Sequence, residues 1–447
     1  MKIKQKNTID MTHGTLWNKL LIFALPLAAS SILQQLFNSV DTAVVGRFAS
    51  SRALAAVGSN SSLIALMINL FIGISLGSNV IISRYIGQKA EEHVKGAIHT
   101  AIVVALCSGI FVLVLGQFIA RPVLTLMGTP KDVLDLAVLY LRIYFLGMPF
   151  IMLYDFSSSI LRSSVTAAAR CMPDCRRNHQ YRTELILVIV FHLGVSGVAI
   201  ATVVSNIVSS GILFYILLHE QEPIRVKLSG LSIDWGELKK ILIIGVPAGL
   251  QGMVFSLANV CIQSMINSFG SNAIAGSAAA LNFEFFAYFM VNAFAQTTVT
   301  FTSQNYGAGD FQRCKKVYRL CMIFSVIFCG LLSGIFVLGR DFFLRLYTTD
   351  PNVLTFAVQR LLIVTTLELL TSTYEISGGA MRGFGHSLTP ALITVVGSCV
   401  LRLIWINTVC RAVHEFWVVM IIYPISWVLT GTVMITAYLL LRRKLMR

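Results

Sequence analysis

Asn38 and Asp41 stand one helical turn apart, i to i+3, late in the first long apolar run of the sequence. Their polar groups share a helix face and together suit a proton or a sodium ion. An ionisable side chain at the centre of a bilayer costs about 2.5–3.5 kcal/mol on insertion scales, so it needs a partner, a water-filled cavity or a task. The plainer alternative for Asp41 is hydration at the membrane surface, paired with Arg47. Glu284 lies in LNFEFFAYF beside Phe283, Phe285, Phe286 and Tyr288. An acid flanked by aromatic faces suits a large organic cation, although such aromatics also serve as lipid-facing or core residues. Glu368 and Glu375 are seven residues apart and fall on roughly one helix face. Glu375 could instead pair with Arg382, as Asp155 could with Arg162. Thr202 and Asn206, at i and i+4, fit either an ion site or polar helix packing. Pro26 and Pro247 each leave a helical carbonyl unpaired and so could act as hinges. A carboxylate in a partly dry cavity holds its proton more tightly, and an approaching cation loosens it. Competition between a proton and another cation for one carboxylate is therefore enough to couple their movements.

The elements that carry these groups are membrane helices. With 56% hydrophobic and only 12% charged residues in 447, the composition lies outside the range of soluble domains. Runs long enough to span a bilayer, about 20 residues, cover 17–45, 53–82, 94–119, 133–156, 195–218, 238–269, 274–301, 317–338, 353–374, 388–408 and 416–441. That makes eleven candidates and one gap. Lys and Arg collect in alternate loops if both ends of the chain are cytoplasmic and a twelfth helix fills the gap: around Lys2–Lys6, Arg84–Lys95, Arg225–Lys240, Arg313–Arg319, Arg382 and Arg442–Arg447. The net charge of +15 is thus a topology signal facing anionic lipid, not a nucleic-acid footprint. The lead-in to the first run is polar and carries no cleavable signal pattern. Cys107, Cys261, Cys321, Cys329 and Cys399 sit in apolar runs as small hydrophobes, and the loose trio Cys171, Cys175 and His179 is too incomplete for zinc. No metal is expected. A phosphate loop, a His-Glu-x-x-His motif and a soluble nucleotide domain are all missing, so the chain is not expected to be an enzyme and any work it does draws on an ion gradient.

The sequence also contains itself twice. Pro26 matches Pro247, Asn38 matches Asn259, Gly58 matches Gly276, Ser83 and Gly87 match Ser303 and Gly307, Arg121 matches Arg340, and Arg162 matches Arg382, all at an offset of about 220 residues. Two halves of six helices share one orientation and imply a pseudo-two-fold axis along the membrane normal. The expected division is an N-terminal lobe at 1–218, a cytoplasmic linker at 219–236 and a C-terminal lobe at 237–447.

The repeat exposes one fault. In the second half Arg382 leads through GFGH into a helix starting near Leu388, but in the first half similarity stops at Ser163, and a polar, basic segment runs to Glu184. Codons for Val165–Cys171 read one base earlier can encode Gly-Asp-Ser-Arg-Arg-Pro-Leu. Those for Asp174–Glu184 read one base later can encode Ile-Ala-Gly-Gly-Ile-Ile-Asn-Thr-Val-Leu, which joins Leu185–Phe191 as a membrane helix. The stretch 164–184 therefore reads as out of frame, in the gene or in its sequencing, with a genuine looped or amphipathic insertion as the alternative.

With this pattern in view, the chain resembles the multidrug and toxic compound extrusion (MATE) transporters. The resemblance rests on the two six-helix halves, on PLAASSILQQLFNSVDTAVVG from Pro26 to Gly46, on Ala55–Gly58, on Ser83–Gly87 and on Leu161–Ser163. The G-D-x-x-x-P turn that usually follows in the family is absent in frame and present in the shifted reading. The resemblance implies an ion-linked aspartate at Asp41. It also implies an all-α polytopic plasma-membrane protein, the inner membrane of a cell with two, acting as a secondary antiporter. Such a protein exports cationic or amphipathic compounds against proton or sodium influx by alternating access. Its expected partners are small organic cations and membrane lipid, it needs no cofactor beyond the coupling ion, and it works as a monomer. The runner-up is a flippase or exporter of a lipid-linked precursor, whose cavity would be lined by basic groups. Resequencing the gene is expected to show compensating shifts flanking codons 165 and 184, and a repaired gene is expected to give more dye efflux than this one. A clean frame without such shifts overturns the reading.

Overall fold

The computed structural model describes residues 10–48, 51–126, 131–164 and 194–445, the side chains of 37–48, 51–59, 61, 62, 131–133, 194, 195 and 198 excepted. Of the segment whose frame is in question, residues 165–184, and with them Cys171, Cys175 and His179, lie outside the described residues. The helices are α1 (Leu16–Phe48), α2 (Ser51–Gln88), α3 (Glu91–Leu126), α4 (Lys131–Leu146), α5 (Met148–Ser164), α6 (Gly194–His219), α7 (Trp235–Asn267), α8 (Ser271–Gly307), α9 (Phe311–Leu338), the short α10 (Arg340–Arg345), α11 (Pro351–Gly383), α12 (Leu388–Ala412) and α13 (Phe416–Leu445). Among the described residues ten helices are long and apolar enough to cross a membrane, or eleven if α4 and α5 form one broken span. No strand occurs among them, as expected where hydrocarbon leaves backbone groups no partner but their own helix. The protein is an all-helical, multi-span membrane protein.

Three of the spans are irregular where the apolar pattern read as continuous. The expected span 133–156 bends by 48° between α4 and α5. Gly147 closes the first piece through a bond from its N–H to the Tyr144 carbonyl (3.0 Å), and Pro149 then opens the next, a position where proline's missing N–H costs nothing. In α11 a 3₁₀ segment, Thr365–Leu370, interrupts the span, and in α12 a π turn occupies Val395–Val400. Such turns mid-helix often mark functional sites. Pro26 and Pro247 both lie within continuous helix, in α1 and α7. Two cysteines expected to be buried, Cys107 and Cys261, are exposed. They sit on the outward sides of α3 and α7, a setting an apolar run does not distinguish from the interior.

The chain forms two compact units. The first comprises 1–10 and 36–249, the second 11–35 and 250–447, so the backbone passes from one to the other within α1 and within α7. In the first unit, α7 crosses α2 through small residues. A Cβ on Gly73 or Gly77 would collide with backbone at Gly249, Gly245 or Ile241, and one on Gly245 or Gly249 with backbone at Ile74 or Leu70. Both helices thus carry Gly-x-x-x-Gly at the crossing, the pattern that lets membrane helices touch backbone to backbone. The linker after α6 is docked on this unit. Asp234 accepts the N–H groups of Gly236 (2.8 Å) and Glu237 (3.1 Å) as the cap of α7, and its own N–H bonds Thr100 (3.0 Å). Buried Glu237 then accepts from Tyr85 (2.7 Å) and Lys240 (3.0 Å). In the loop, the Lys227 ammonium holds the exposed Glu222 carboxyl below its ordinary pKa.

In the second unit α8 is the central helix, packed on α9 and both parts of α11. One apolar core joins Phe283, Phe286, Phe336, Leu344 and Leu361, with Ile32 of α1 against it. Ahead of α1, Arg313 donates to the carbonyls of Met11 (2.9 Å), His13 (3.0 Å) and Gly14 (3.0 Å), which ties the start of the helix to this unit.

Gly73→Val or Gly249→Val is expected to destabilise the protein by about 1–3 kcal/mol or more. Thermal unfolding in detergent measures it, with Gly334→Ala, where a Cβ meets nothing within 4 Å, as the tolerated control.

Candidate functional site

The second unit holds a network of charged groups inside its membrane spans. Glu284 of α8 and Arg360 of α11 form a bidentate pair: Nε donates to Oε1 at 2.6 Å and Nη2 to Oε2 at 2.8 Å. The third edge of the guanidinium, Nη1, donates to the Ser277 hydroxyl. Both partners are buried, 6% and 2% exposed. A planar guanidinium meeting a carboxylate along two parallel bonds is the arrangement best able to offset desolvation. The cation that Glu284 holds is therefore an internal one, although its flank of aromatic residues is as the sequence suggested.

Glu368 projects from the 3₁₀ segment of α11, is buried, and interacts electrostatically with Glu284, Arg360 and Arg402. Among the described residues its carboxylate makes no hydrogen bond or ion pair. Seven residues on, Glu375 accepts from the Tyr288 hydroxyl at 3.3 Å and interacts with Arg382. Arg382 gives its Nη2 proton to Gln251 (2.9 Å). Tyr288 lies in the field of both Glu375 and Glu368. Glu284, Tyr288, Glu368 and Glu375, four residues singled out from the sequence, thus meet in one network.

The first-unit candidates are arranged differently. Asn206 is buried on α6 and gives its amide proton to the Thr202 carbonyl at 2.8 Å, a bond within its own helix. Asn38 and Asp41 lie in the helical backbone of α1 on the side that belongs to the first unit; their side chains, and the contact with Arg47, are outside the described residues. Arg162 interacts with Asp155 and donates to Ser158 at 3.0 Å.

Two members of the network escaped sequence reasoning. Arg360 and Arg402 are 2% and 1% exposed, yet each sits in an apolar run and each is an ionisable residue inside a span, the very signal that flagged the carboxylates. Between them lies Tyr423 of α13, its ring 5.7 Å from the Arg360 guanidinium carbon and 4.6 Å from that of Arg402, with Phe255 on Arg402 at 5.6 Å. The aromatic faces favour both cations. Three guanidiniums thus stand beside three carboxyl groups in the network.

The described residues thus form a multi-span helical membrane protein with a charge network buried within its spans. The MatE family model matches residues 26–169 and again 247–408, the two matches opening at Pro26 and Pro247, and the chain belongs to this family of MATE transporters. Among its relatives, the probable multidrug resistance protein YoeA of Bacillus subtilis is 30% identical over 396 residues, 87% of this chain and 86% of the relative. The probable multidrug resistance protein NorM of Thermotoga maritima is 24% identical over 86% of this chain and 84% of its own length. A FAD transporter of Shewanella oneidensis is 25% identical over 71% of each chain. Among solved structures, a MOP superfamily transporter from Pyrococcus furiosus superposes with a TM-score of 0.91 at 19% identity over 98% of both chains. An outward-facing MATE family transporter gives 0.90 at 19%, over 97% of this chain and 98% of that one.

Glu284→Ala strands the buried Arg360 and is expected to cost about 3–5 kcal/mol, whereas Glu284→Met with Arg360→Met is expected to recover most of that loss. Melting temperatures of the single and double variants check the pair.

Proposed function

We propose that this transporter is a secondary antiporter exporting cationic or amphipathic compounds, coupled to the inward movement of protons or sodium ions through alternating access of a central cavity. The observation that carries the reading is Glu368, a buried carboxylate in a helical break without a direct partner among the described residues, next to a fully compensated Glu284–Arg360 pair. A carboxylate so placed can be neutralised by a proton, a sodium ion or an organic cation, and cannot hold two of them at once. That exclusion couples their movements. Asp41, with Asn38 one turn away, is assigned the same role in the first unit, and Glu375 with Tyr288 a supporting one. Pro26 and Pro247 are assigned the bending that opens and closes access. Multidrug resistance names among the relatives support export of small organic compounds. Both chain ends are assigned to the cytoplasm of a plasma-membrane protein that acts as a monomer.

The lipid-precursor flippase calls for a basic lining. In the second unit Arg360 is taken up by Glu284 and Arg382 lies with Glu375 and Gln251, which among the described residues leaves Arg402 of three buried arginines, short of the basic lining a flippase needs.

Efflux of a cationic dye from cells under an imposed proton or sodium gradient tests the reading. Asp41→Asn and Glu368→Gln are each expected to slow gradient-driven efflux by about tenfold or more, equivalent to about 1.4 kcal/mol. Gradient-driven efflux surviving unchanged in both variants overturns it.

A further inference from the structure

Arg402 is the most buried of the charged side chains in the network, 1% exposed, and it is under-partnered. Its Nε donates to the Ser426 hydroxyl at 3.0 Å, and its face rests on Tyr423 and Phe255. Its Nη2 has no hydrogen-bond partner although fully enclosed. A desolvated guanidinium held by one neutral oxygen and two rings keeps most of its charge uncompensated. The neighbouring Glu368 is the complementary case, a buried carboxylate in the field of Arg402 with no direct partner among the described residues. Arg360 is committed to Glu284 and Ser277, and Arg382 lies with Glu375 and Gln251. Both under-partnered groups also sit at helical irregularities: Glu368 within the 3₁₀ segment of α11, Arg402 two residues after the π turn of α12. Segments of this kind can change their pitch and shift a side chain without unfolding the helix.

We propose that Arg402 is a positioning residue for Glu368: the two groups pair directly when Glu368 is ionised and part when it is protonated, so that Arg402 sets the pH at which this carboxylate exchanges its proton. In the arrangement described no hydrogen bond or ion pair joins the two among the described residues, which is the parted state of the proposal. On losing its proton to the aqueous side, Glu368 becomes the acceptor that Nη2 lacks, and the arginine then occupies the carboxylate in place of cargo. The other groups facing Glu368 are Glu284 and Tyr288 from α8, Cys329 from α9, and Arg360 and Tyr374 from α11, while Tyr423 of α13 stacks under both arginines. With Arg360 matched by Glu284, the unmatched positive charge is that of Arg402. Removing it leaves the carboxyl holding its proton to higher pH.

The proposal rests on Glu368 being an ion carrier, and its test separates the two claims. In proteoliposomes, efflux of ethidium driven by a pH gradient is measured across a range of pH for wild type, Arg402→Gln, Arg402→Lys and Glu368→Gln. Arg402→Gln is expected to move the midpoint of the pH profile up by about one unit or more, Arg402→Lys by less, and Glu368→Gln to abolish the driven efflux. If Glu368→Gln behaves as wild type, the ion-carrier reading falls and this proposal with it. If Glu368→Gln loses driven efflux while Arg402→Gln keeps the wild-type profile, only the proposal falls. Should Arg402→Gln fail to fold, the double variant Arg402→Gln/Glu368→Gln decides: recovery of its melting temperature toward wild type supports the pairing, and no recovery assigns Arg402 to packing and overturns the proposal.

Discussion

The bidentate bond between Arg360 and Glu284 is the constraint on which the interior of the second unit depends. It joins α11 to α8 at a depth where neither charge could stand alone, and it absorbs the arginine that would otherwise neutralise Glu368. A buried ion pair contributes little net stability, because desolvation offsets the attraction. Its geometry sets the facing of α8 and α11, and leaves Glu368 as the neighbouring carboxylate without a direct partner among the described residues. Tyr423 completes the arrangement by offering one ring to two guanidiniums, which lets like charges share a dry volume with an aromatic face between them.

Backbone irregularity and charge occur together here. In a straight α11, Glu368 and Glu375 would be near-equivalent positions on one stripe. In the structure the 3₁₀ segment holds Glu368 among Glu284, Arg360 and Arg402, while Glu375 beyond it reaches Tyr288 and Arg382. Local loosening of the helical ladder supplies the freedom for a side chain to change partners, and the surrounding helices supply the rigidity that limits it to a few.

Much of the fold was legible because hydrocarbon imposes one rule: long apolar runs become helices. Ten of the eleven runs recur as spans and the run 133–156 as the bent pair α4 and α5, and the internal match at Pro26 and Pro247 is where the two family-model matches begin. Breaks within spans were less legible. Gly147–Pro149 carries turn chemistry that a hydropathy reading passes over, and nothing in TTLELL or VVGSCV marks a 3₁₀ or π turn by composition, since these turns answer to tertiary packing. At the site, carboxylates stood out because acids are rare here, while Arg360 and Arg402 were masked by a basic excess read wholly as topology. The crossing of α7 on α2 was written in Gly73, Gly77, Gly245 and Gly249, yet glycine spacing does not name its partner helix.

The duplication separates what the halves inherited from what the second half acquired. At the repeat offset of about 220 residues, Gly147, where α4 breaks from α5, corresponds to the middle of the 3₁₀ segment Thr365–Leu370. A break in the fourth span thus recurs at the same place in each half. The acids do not. At offsets of 218–221 the counterparts of Glu284 and Glu368 fall in stretches without an acid, 63–66 and 147–150, and that of Arg360 falls in 139–142, which includes Arg142. A weak point in a helix costs little to keep, whereas a buried charge is tolerated only with its counter-charge, and Glu284, whose counterpart stretch holds no acid, has that counter-charge in Arg360. The Glu284–Arg360 pair is thus a feature of the second half built on a repeated scaffold, which is how the two halves of one repeat can present chemically different interiors.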